Sequence, residues 1–339
     1  MSPIAVVTGG AGFIGSHTVD ALLAQGFIVR VIDDLRGGRL ANLAHVRDRP
    51  DFSFHEIDVC TLPADSPLFS EVDLVIHFAG IGDIVPSVER PAEYLDANVM
   101  GTVRVLEAAR TAGVRRCVYA ASSSCYGADP EVPTPETALI SPEYPYALSK
   151  YLGEVAAFHW QRVYGLSVNS IRIFNAYGPR SRTSGAYGAV FGVFLKQKLA
   201  GRPFTVVGDG EQRRDFVFVT DVADAFVRAG LTQLSGRVWN VGGGNPQSVN
   251  RLVALLEGPV VHIPKRPGEP DSTWADIGAI EADLQWRPRV TFEEGVAAVV
   301  EAIDYWADAP LWDADSIAQA TEPWFRMLSG SPTRAGGAG

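Results

Sequence analysis

The sequence predicts an α/β protein built on a doubly wound parallel sheet, with a smaller C-terminal α/β lobe. Short runs of apolar and β-branched residues alternate with longer stretches of helical periodicity, and these runs do not alternate with polar residues. Continuous apolar strands separated by helices are typical of a parallel sheet that helices cover on both faces. The 339 residues exceed the roughly 250–300 that one hydrophobic core usually serves, which favours an additional lobe.

The predicted elements follow one another in a regular order from the N-terminus. Strands are expected at residues 4–8, 28–32, 52–57, 74–78, 116–121, 168–173 and 238–241, with helices at 13–25, 91–112 and 146–164. Residues 175–214 and 247–328 interrupt this alternation with proline, arginine and aromatic residues, so we assign them to the smaller lobe. Residues 1–174 and 215–246 then form the sheet domain. The glycine-rich residues 329–339 have no apolar pattern and predict a disordered tail.

The composition argues against several classes of protein. The net charge is −10 and basic residues never run longer than a pair, so a nucleic-acid backbone would be repelled. Cys60, Cys117 and Cys125 are too few and too scattered for a disulfide framework or a metal site. No charged leader precedes the first strand, and no apolar run reaches the roughly 20 residues that a membrane helix needs. We therefore expect a cytoplasmic protein without a metal, a nucleic-acid partner or a membrane partner.

A glycine-rich loop follows the first predicted strand and opens the first predicted helix. Gly9 permits the tight turn, Gly12 lets a pyrophosphate approach the backbone, and Gly15 lets the helix pack closely on the strand. The first helical residues, Phe13 and Ile14, then place the N-terminus of the helix opposite the phosphate groups. The arrangement predicts a Rossmann-type site for a dinucleotide cofactor.

Acidic residues after the second strand indicate which dinucleotide is bound. Asp33 lies roughly 20 residues beyond the glycines, where a carboxylate accepts hydrogen bonds from the adenosine ribose. Asp33 and Asp34 would repel the 2′-phosphate of NADP and so favour NAD, although the nearby Arg36 acts in the opposite direction. His77, in the fourth strand, is interpreted as a core histidine. Further cofactor contacts are expected at Asp58, Val59, Phe78, Ala79 and Gly80.

Tyr146 and Lys150 have the spacing that places both side chains on one face of a helix, one turn apart. A nearby ammonium group and an oxidised nicotinamide favour tyrosinate, so we expect a lowered pKa for Tyr146. Tyr146 is then able to take a proton from a substrate hydroxyl. A cluster of serines, Ser122, Ser123 and Ser124, precedes this pair at the end of the fifth strand and supplies hydroxyl groups to the same site.

An ordered series of motifs resembles the extended short-chain dehydrogenases/reductases, in particular the NAD-dependent nucleotide-sugar epimerase and dehydratase family, closest in plan to the UDP-glucose 4-epimerases. The motifs are residues 8–15 (Thr-Gly-Gly-Ala-Gly-Phe-Ile-Gly), 145–150 (Pro-Tyr-Ala-Leu-Ser-Lys), 172–179 (Arg-Ile-Phe-Asn-Ala-Tyr-Gly-Pro) and 208–221. The resemblance extends from the first strand to about residue 295.

The resemblance implies a role for each matching residue. Ser122 would hydrogen-bond the reacting hydroxyl, Tyr146 would be the base, and Lys150 would hold the nicotinamide ribose. Asn98 and Phe174 match further cofactor contacts. The residues implied to contact the sugar nucleotide, with a UDP-sugar favoured, are Ser122, Ser123, Ser124, Asn175, Arg182, Val206, Arg214, Arg266 and Glu269. Guanidinium groups suit phosphate oxygens, but the neighbouring Arg213 is an alternative to Arg214.

The residues after Ser122 favour epimerisation over the other reactions of the family. The resembling dehydratases have an Asp and a Glu at the next two positions, whereas this chain has Ser123 and Ser124, which exchange protons poorly near neutral pH. We therefore expect a UDP-hexose 4-epimerase that acts through a transient 4-keto sugar. UDP-glucuronate is the alternative substrate, because Arg182 lies near the position of a carboxylate-binding arginine in hexuronate epimerases. Net oxidoreductase or dehydratase chemistry and a non-enzymatic NAD sensor are the remaining alternatives.

Three further expectations concern regions outside this constellation. Cys125 precedes Tyr126 directly, so on an extended strand it faces away from the sugar and has a structural role. The family forms dimers through the helices at 91–112 and 146–164, and the resemblance implies a homodimer here, although Val99, Val103 and Leu106 could equally pack within one subunit. Residues 305–328, rich in aromatic side chains, have no clear counterpart in the best-known members of the family.

Overall fold

The structure of the chain is a computed structural model that describes residues 2–181, 190–265 and 270–328. The predicted substrate residues Arg182, Arg266 and Glu269, and the predicted tail at 329–339, lie outside the described residues. The strands are β1 (Ile4–Thr8), β2 (Ile28–Asp33), β3 (Phe52–Glu56), β4 (Leu74–His77), β5 (Arg116–Ser122), β6 (Val168–Ile173), β7 (Asn175–Tyr177), β8 (Phe204–Val207), β9 (Arg213–Arg214), β10 (Phe216–Phe218), β11 (Val238–Val241), β12 (Gln247–Ser248) and β13 (Val260–Ile263).

Seven of these strands form one parallel sheet in the order β11-β6-β5-β4-β1-β2-β3. The order reverses between β1 and β4, and in such sheets ligands bind beyond the carboxyl ends of the strands at this reversal. The helices are α1 (Phe13–Ala24), α2 (Pro91–Leu95), α3 (Gly101–Thr111), α4 (Pro145–Tyr164), α5 (Val190–Leu199), α6 (Val219–Leu231), α7 (Val249–Leu256), α8 (Gly278–Leu284), α9 (Phe292–Glu301) and α10 (Ala314–Leu328). The predicted fold class is confirmed, and the seven predicted strands end within one residue of the observed ends.

Both faces of the sheet are buried, which explains the continuous apolar strands. Val6 and Val7 are neighbours in β1 and both have 0% exposure, yet they belong to different hydrophobic clusters. Val7 packs with residues of α1 and α6, whereas Val6 packs with residues of α3 and α4. Adjacent side chains of a strand point to opposite faces, so a strand that is buried on both faces, such as β1, is apolar at nearly every position.

The helix predicted at residues 91–112 is interrupted. A π-helical turn, Asp96–Met100, separates α2 from α3. Asn98 lies in this turn, with 1% exposure, and its side-chain amide bonds both backbone groups of Ile81 beyond β4. Such turns are frequent at functional sites. Here the turn fixes the segment that follows β4.

The smaller lobe has its own core of aromatic residues from α5, β8, β10, α9 and the segment after α9. Two segments pack in a different domain from the one to which the predicted boundaries assign them. Phe216 and Phe218 of β10 pack in the lobe, although residues 215–246 were assigned to the sheet domain. Conversely, α8 and Trp286 pack against the sheet domain, where the Trp286 indole donates to the Asp221 carbonyl oxygen. No helix in the described part of the chain has the length and apolar character required to cross a membrane.

Candidate active site

A cavity of about 850 Å³ lies between the sheet domain and the lobe. Its floor consists of the loops that follow β1, β2, β4, β5 and β6, at the carboxyl ends of the strands. The lobe supplies the opposite wall. One end of the cavity contains the glycine loop, which we call the cofactor half, and the other contains Ser124, Asn175 and Arg214, which we call the sugar half.

The cofactor half presents backbone groups rather than side chains at the glycine loop. Gly9 has φ +70°, and a Cβ atom there would lie 2.7 Å from the Ala79 nitrogen. Gly12 precedes the first turn of α1, and no described side chain caps its N–H groups. Those N–H groups therefore remain free for a pyrophosphate, so the loop fits a dinucleotide.

Asp33 combines a structural role with a position on the cavity. It is 6% exposed, and its two carboxylate oxygens accept hydrogen bonds from the backbone nitrogens of Ala11 and Leu35 at 2.9 and 2.8 Å. The carboxylate thereby fixes the glycine loop while it lines the cavity beside Asp34. Arg36, the signal for NADP, contacts the carboxylates of Asp34 and Asp58 at 3.3 and 3.2 Å. These two carboxylates oppose the binding of a further phosphate, which agrees with NAD.

The remaining predicted cofactor residues divide into two groups. Asn98 is not among the residues that line the cavity, and its amide is occupied by Ile81 and by the Ser149 hydroxyl. It therefore acts on the site through the position of the Gly80–Ile81 backbone. The residues that do line the cavity are Gly9, Gly12, Phe13, Ile14, Gly15, Asp33, Asp34, Asp58, Val59, Phe78, Ala79, Gly80, Tyr146, Lys150 and Phe174.

The three predicted catalytic residues meet where the two halves join. Ser122 ends β5, and its hydroxyl lies 3.0 Å from that of Ser124. Tyr146 and Lys150 come from the first turns of α4. The Lys150 ammonium lies 4.8 Å from the centre of the Tyr119 ring, and the Tyr119 hydroxyl donates to the Lys150 carbonyl oxygen at 3.0 Å. The buried Tyr119 thus holds both the backbone and the charged group of Lys150.

Burial shifts the pKa values of Tyr146 and Lys150. Desolvation raises the pKa of Tyr146 above its usual value, and only a hydrogen bond with Ser122 opposes this, because the nearby charge of Asp83 also raises it. The lowered pKa that we expect for Tyr146 includes the charge of an oxidised nicotinamide, so it stays a prediction for the NAD-bound protein. Burial also lowers the pKa of Lys150 to about 8, against the opposing effect of Glu154. A positively charged nicotinamide, when bound, acts on Tyr146 in the lowering direction.

A buried ion pair beneath the site anchors the catalytic helix to the sheet. Glu154, one turn after Lys150, accepts hydrogen bonds from Arg172 and from the Ser170 hydroxyl on β6. Arg172 also donates to the Tyr126 hydroxyl at 2.9 Å. Removing one partner of such a pair leaves an uncompensated buried charge, at a typical cost of about 3–5 kcal/mol. The sequence reasoning did not assign this role to Glu154.

Arg214 lies on the sugar half and Arg213 does not. Both residues form β9, where side chains alternate, so Arg214 lines the cavity and Arg213 is exposed. The Arg214 guanidinium donates to the Pro270 carbonyl oxygen at 2.8 Å. Asn175 also lines the cavity, and its side-chain amide oxygen accepts a hydrogen bond from the Thr273 hydroxyl at 2.7 Å. The structure therefore favours Arg214 as the phosphate contact.

Some predicted residues lie elsewhere. Val206 has 0% exposure in the lobe core, while its neighbours Thr205 and Val207 line the cavity. The assignment of Val206 was off by one position, because the two faces of β8 alternate. Cys125 is buried in a small cluster with Tyr126, away from the cavity, and burial raises the pKa of its thiol to about 12. His77 is a core residue, with its ring nitrogens 2.6 and 2.9 Å from the hydroxyls of Thr8 and Thr102.

Several cavity residues were missed by the sequence reasoning. Tyr144 stacks on Tyr146, with 6.5 Å between ring centres and 9° between planes. Trp312 and Trp324 come from the C-terminal segment. The aromatic composition of residues 305–328 was the one available signal for these tryptophans. Within the described ranges, no cluster of three His, Cys, Asp or Glu side chains is placed to hold a metal ion.

The site combines a glycine loop at the reversal of the sheet, a carboxylate at the end of β2 and a Ser-Tyr-Lys group at one cavity. These features define the class of NAD-dependent enzymes that use a tyrosine for proton transfer. A family model described as the NAD-dependent epimerase/dehydratase family matches residues 5–242. The chain therefore belongs to this family, and the predicted family and NAD cofactor are confirmed.

Individual relatives and solved structures are similar to this chain over most of its length. UDP-glucose 4-epimerase of Mycolicibacterium smegmatis is 40% identical, and the match covers 87% of this chain and 97% of the relative. The crystal structure of UDP-glucose 4-epimerase from Thermotoga maritima with UDP-glucose has a TM-score of 0.83 at 33% identity, covering 89% of this chain and 98% of the other. The UDP-glucuronic acid 4-epimerase of Bacillus cereus, solved with UDP-glucuronic acid and NAD, has a TM-score of 0.83 at 30% identity. This match covers 89% of this chain and 99% of the other.

Proposed function

We propose that this chain is an NAD-dependent epimerase of a nucleotide-activated sugar, and specifically a 4-epimerase of a UDP-hexose. The observation that carries the proposal is the meeting of Ser122, Tyr146 and Lys150 between the two halves of one cavity. The names of the relatives support the reaction and the UDP group. The cytoplasmic location remains a prediction.

The residues of the chain divide the work of the reaction. Tyr146 accepts the proton of the sugar hydroxyl, and Ser122, which hydrogen-bonds Tyr146, orients that hydroxyl. The glycine loop and Asp33 would hold NAD, which would supply a reversible hydride acceptor at the sugar carbon. Lys150 is buried beside the cavity one helical turn after Tyr146, and it would hold the nicotinamide ribose, as the family resemblance implies. Proton transfer back from Tyr146 completes a cycle without net oxidation.

The serine cluster supports epimerisation over elimination. Ser124 bonds Ser122 and hydrogen-bonds Tyr144, so its hydroxyl belongs to a fixed network of neutral groups. Loss of water from the keto sugar requires an acid and a base beside the carbons next to the ketone. Ser123 and Ser124 occupy the positions where the resembling dehydratases have carboxyl groups, and hydroxyls do not titrate near neutral pH.

The proposal is tested with purified protein and a panel of UDP-hexoses, UDP-hexuronates and dTDP-hexoses, whose products are read by NMR. We expect inversion at carbon 4 with no change of mass and no added cofactor. Tyr146→Phe should retain NAD and lose roughly 10²–10⁴-fold in kcat, since a positioned proton-transfer group contributes about that much. Loss of water from the product, or near-normal activity of Tyr146→Phe, would contradict the proposal.

A UDP-hexuronate is the second candidate substrate. The Bacillus cereus neighbour, which was solved with UDP-glucuronic acid, matches as well in TM-score as the UDP-glucose enzyme. Arg180 is not available for a carboxylate, because it pairs with Asp20 of α1 at 2.7 Å. The candidate therefore depends on Arg182. Arg182→Ala should reduce the preference for the uronate, and an unchanged ratio of kcat/KM values would remove this candidate.

A homodimer through α3 and α4 is also proposed. Leu148 and Val155 of α4 are 40% and 45% exposed, and Met100, in the π-helical turn directly before α3, is 47% exposed, which leaves apolar side chains for a partner copy. Leu106, in contrast, is 1% exposed and packs within the subunit. Sedimentation at micromolar concentration should show a dimer, and Leu148→Glu should convert it to monomer. A wild-type monomer would reject the proposal.

A further inference from the structure

The C-terminal helix α10 spans the two sides of the cavity. At its first half, Ile317 is 3% exposed in the core of the lobe. About two turns later, Trp324 is 7% exposed and contacts Tyr144, which immediately precedes α4 of the sheet domain. The helix also packs on the turn Val85–Val88 beyond β4. The helix is therefore anchored on both domains.

Trp324 brings an indole ring to the sugar half. It lines the cavity together with Tyr144 and Tyr146. The ring centres of Trp324 and Tyr144 are 5.1 Å apart, and Tyr144 stacks almost parallel to Tyr146. Tyr144 is further held by a hydrogen bond with Ser124. The three rings thus form one aromatic series that begins at the proposed catalytic base and ends at α10.

We propose that Trp324 is a specificity-determining residue, whose indole forms the wall of the sugar subsite and limits the substituents that the sugar ring can carry. This inference rests on the proposed function and deepens it. A hexose whose carbon 4 lies at Tyr146 extends away from that residue, and its C–H groups then meet the Tyr144 and Trp324 rings. Large rigid rings offer such apolar contact at a low cost in conformational entropy.

The position of Trp324 separates this role from a purely structural one. A side chain that only fastened α10 to the sheet domain would be enclosed by protein on all sides. Trp324 packs most of its surface on protein, including Tyr144, but the 7% of its surface that stays exposed is accompanied by a place in the cavity lining. Because the helix is held independently by Ile317 in the lobe core, the wall keeps its place when substrate enters.

The test compares Trp324→Ala and Trp324→Phe with Met327→Ala, a control on the same helix whose side chain is 45% exposed. For Trp324→Ala we expect KM for the UDP-hexose to rise about tenfold, consistent with the loss of one aromatic contact, while Kd for UDP alone stays unchanged. The larger space should also increase kcat/KM for a UDP-N-acetylhexosamine, relative to the unsubstituted hexose, by severalfold. Trp324→Phe should lie between wild type and Trp324→Ala, and Met327→Ala should match wild type.

Retained NAD content and a Tm above the assay temperature identify variants that remain folded, and Trp324→Phe gives the answer if Trp324→Ala unfolds. Equal weakening of UDP and UDP-hexose, or an unchanged substrate ratio in a folded Trp324 variant, would overturn the inference. The proposed function fails separately, if wild-type protein converts no nucleotide sugar. In that case, calorimetry of UDP against UDP-hexose with both Trp324 variants still decides whether the indole contacts the sugar.

Discussion

The two halves of the cavity are built by different means. The cofactor half is formed mainly by backbone at the ends of β1, β2 and β4, within the first hundred residues. The sugar half is formed by side chains that are distant in sequence, such as Ser124, Arg214 and Trp324. Backbone at fixed strand ends depends on the fold alone, whereas the side-chain wall depends on how the lobe packs against the sheet domain. Binding of the dinucleotide and choice of the sugar are therefore separable by mutation.

The largest effect is expected from Gly15→Ala, which breaks the cofactor half alone. The added Cβ would lie 2.9 Å from the Gly10 Cα and would press on the Gly9 backbone, neither of which is a flexible side-chain end. Alanine favours a helix over glycine by about 1 kcal/mol, but overpacking against backbone costs about 1–3 kcal/mol and displaces the loop. We expect the variant to lose most of its bound NAD.

The NAD content of purified Gly15→Ala and its Kd for NAD measure this effect, together with its Kd for UDP. Gly37→Ala is the matched control, because Gly37 also lines the cofactor half and a Cβ there meets nothing within 4 Å. UDP binding should survive in both variants. Joint loss of NAD and UDP binding in Gly15→Ala would show that the two halves are not separable.

We expect the stability of the protein to fall at acidic pH, because His77 is buried beneath the cofactor half. His77 bridges Thr8 of β1 and Thr102 of α3, and burial lowers its pKa from 6.5 to about 3. Between these values the unfolded chain binds a proton that the folded protein excludes, so stability falls as pH decreases from 6.5 toward 3. At about 1.4 kcal/mol for each pH unit, the loss from this group at pH 5 is about 2 kcal/mol. Asp215, whose pKa burial raises to about 6, acts in the opposite direction.

Urea unfolding at pH 7 and pH 5 isolates the contribution of His77. His77→Gln keeps a polar group between the two threonines but does not titrate. The difference in the free energy of unfolding between wild type and His77→Gln should therefore shrink by about 2 kcal/mol between pH 7 and pH 5. A constant difference between His77→Gln and wild type over this range would contradict the buried neutral histidine.

The fold and the cofactor half were predictable because their signals are local. The spacing of Gly9, Gly12 and Gly15, and the position of Asp33 at the end of β2, follow from the geometry of one strand-helix-strand unit. The apolar strands likewise report burial on both faces without knowledge of distant residues. The effect of burial on the pKa of Tyr146 was not predictable, because the sequence shows the neighbouring Lys150 but not the depth of burial.

The sugar half was less predictable, since it depends on contacts between distant segments. Val206 was misplaced by one residue on β8, where the sequence Phe-Thr-Val-Val gives no polar alternation to set the register. Trp324 was noticed only as part of an aromatic segment, because its contact with Tyr144 joins positions that are far apart in the chain. The choice between Arg213 and Arg214 required the pairing of β9 with β12.

The choice of Arg214 over Arg213 as the phosphate contact leads to the smallest of the predicted effects. Its test concerns the sugar half alone. Arg214→Ala removes a guanidinium that lines the cavity, and a hydrogen bond from a charged donor contributes about 1.5–3 kcal/mol. Because Arg214 is only partly buried, we expect the low end, which is about a tenfold increase in Kd for UDP. Arg213→Ala removes the same charge from the exposed face of the same strand and should leave Kd for UDP within twofold. NAD content should be unchanged in both, and the opposite ranking of the two variants would assign the phosphate contact to Arg213.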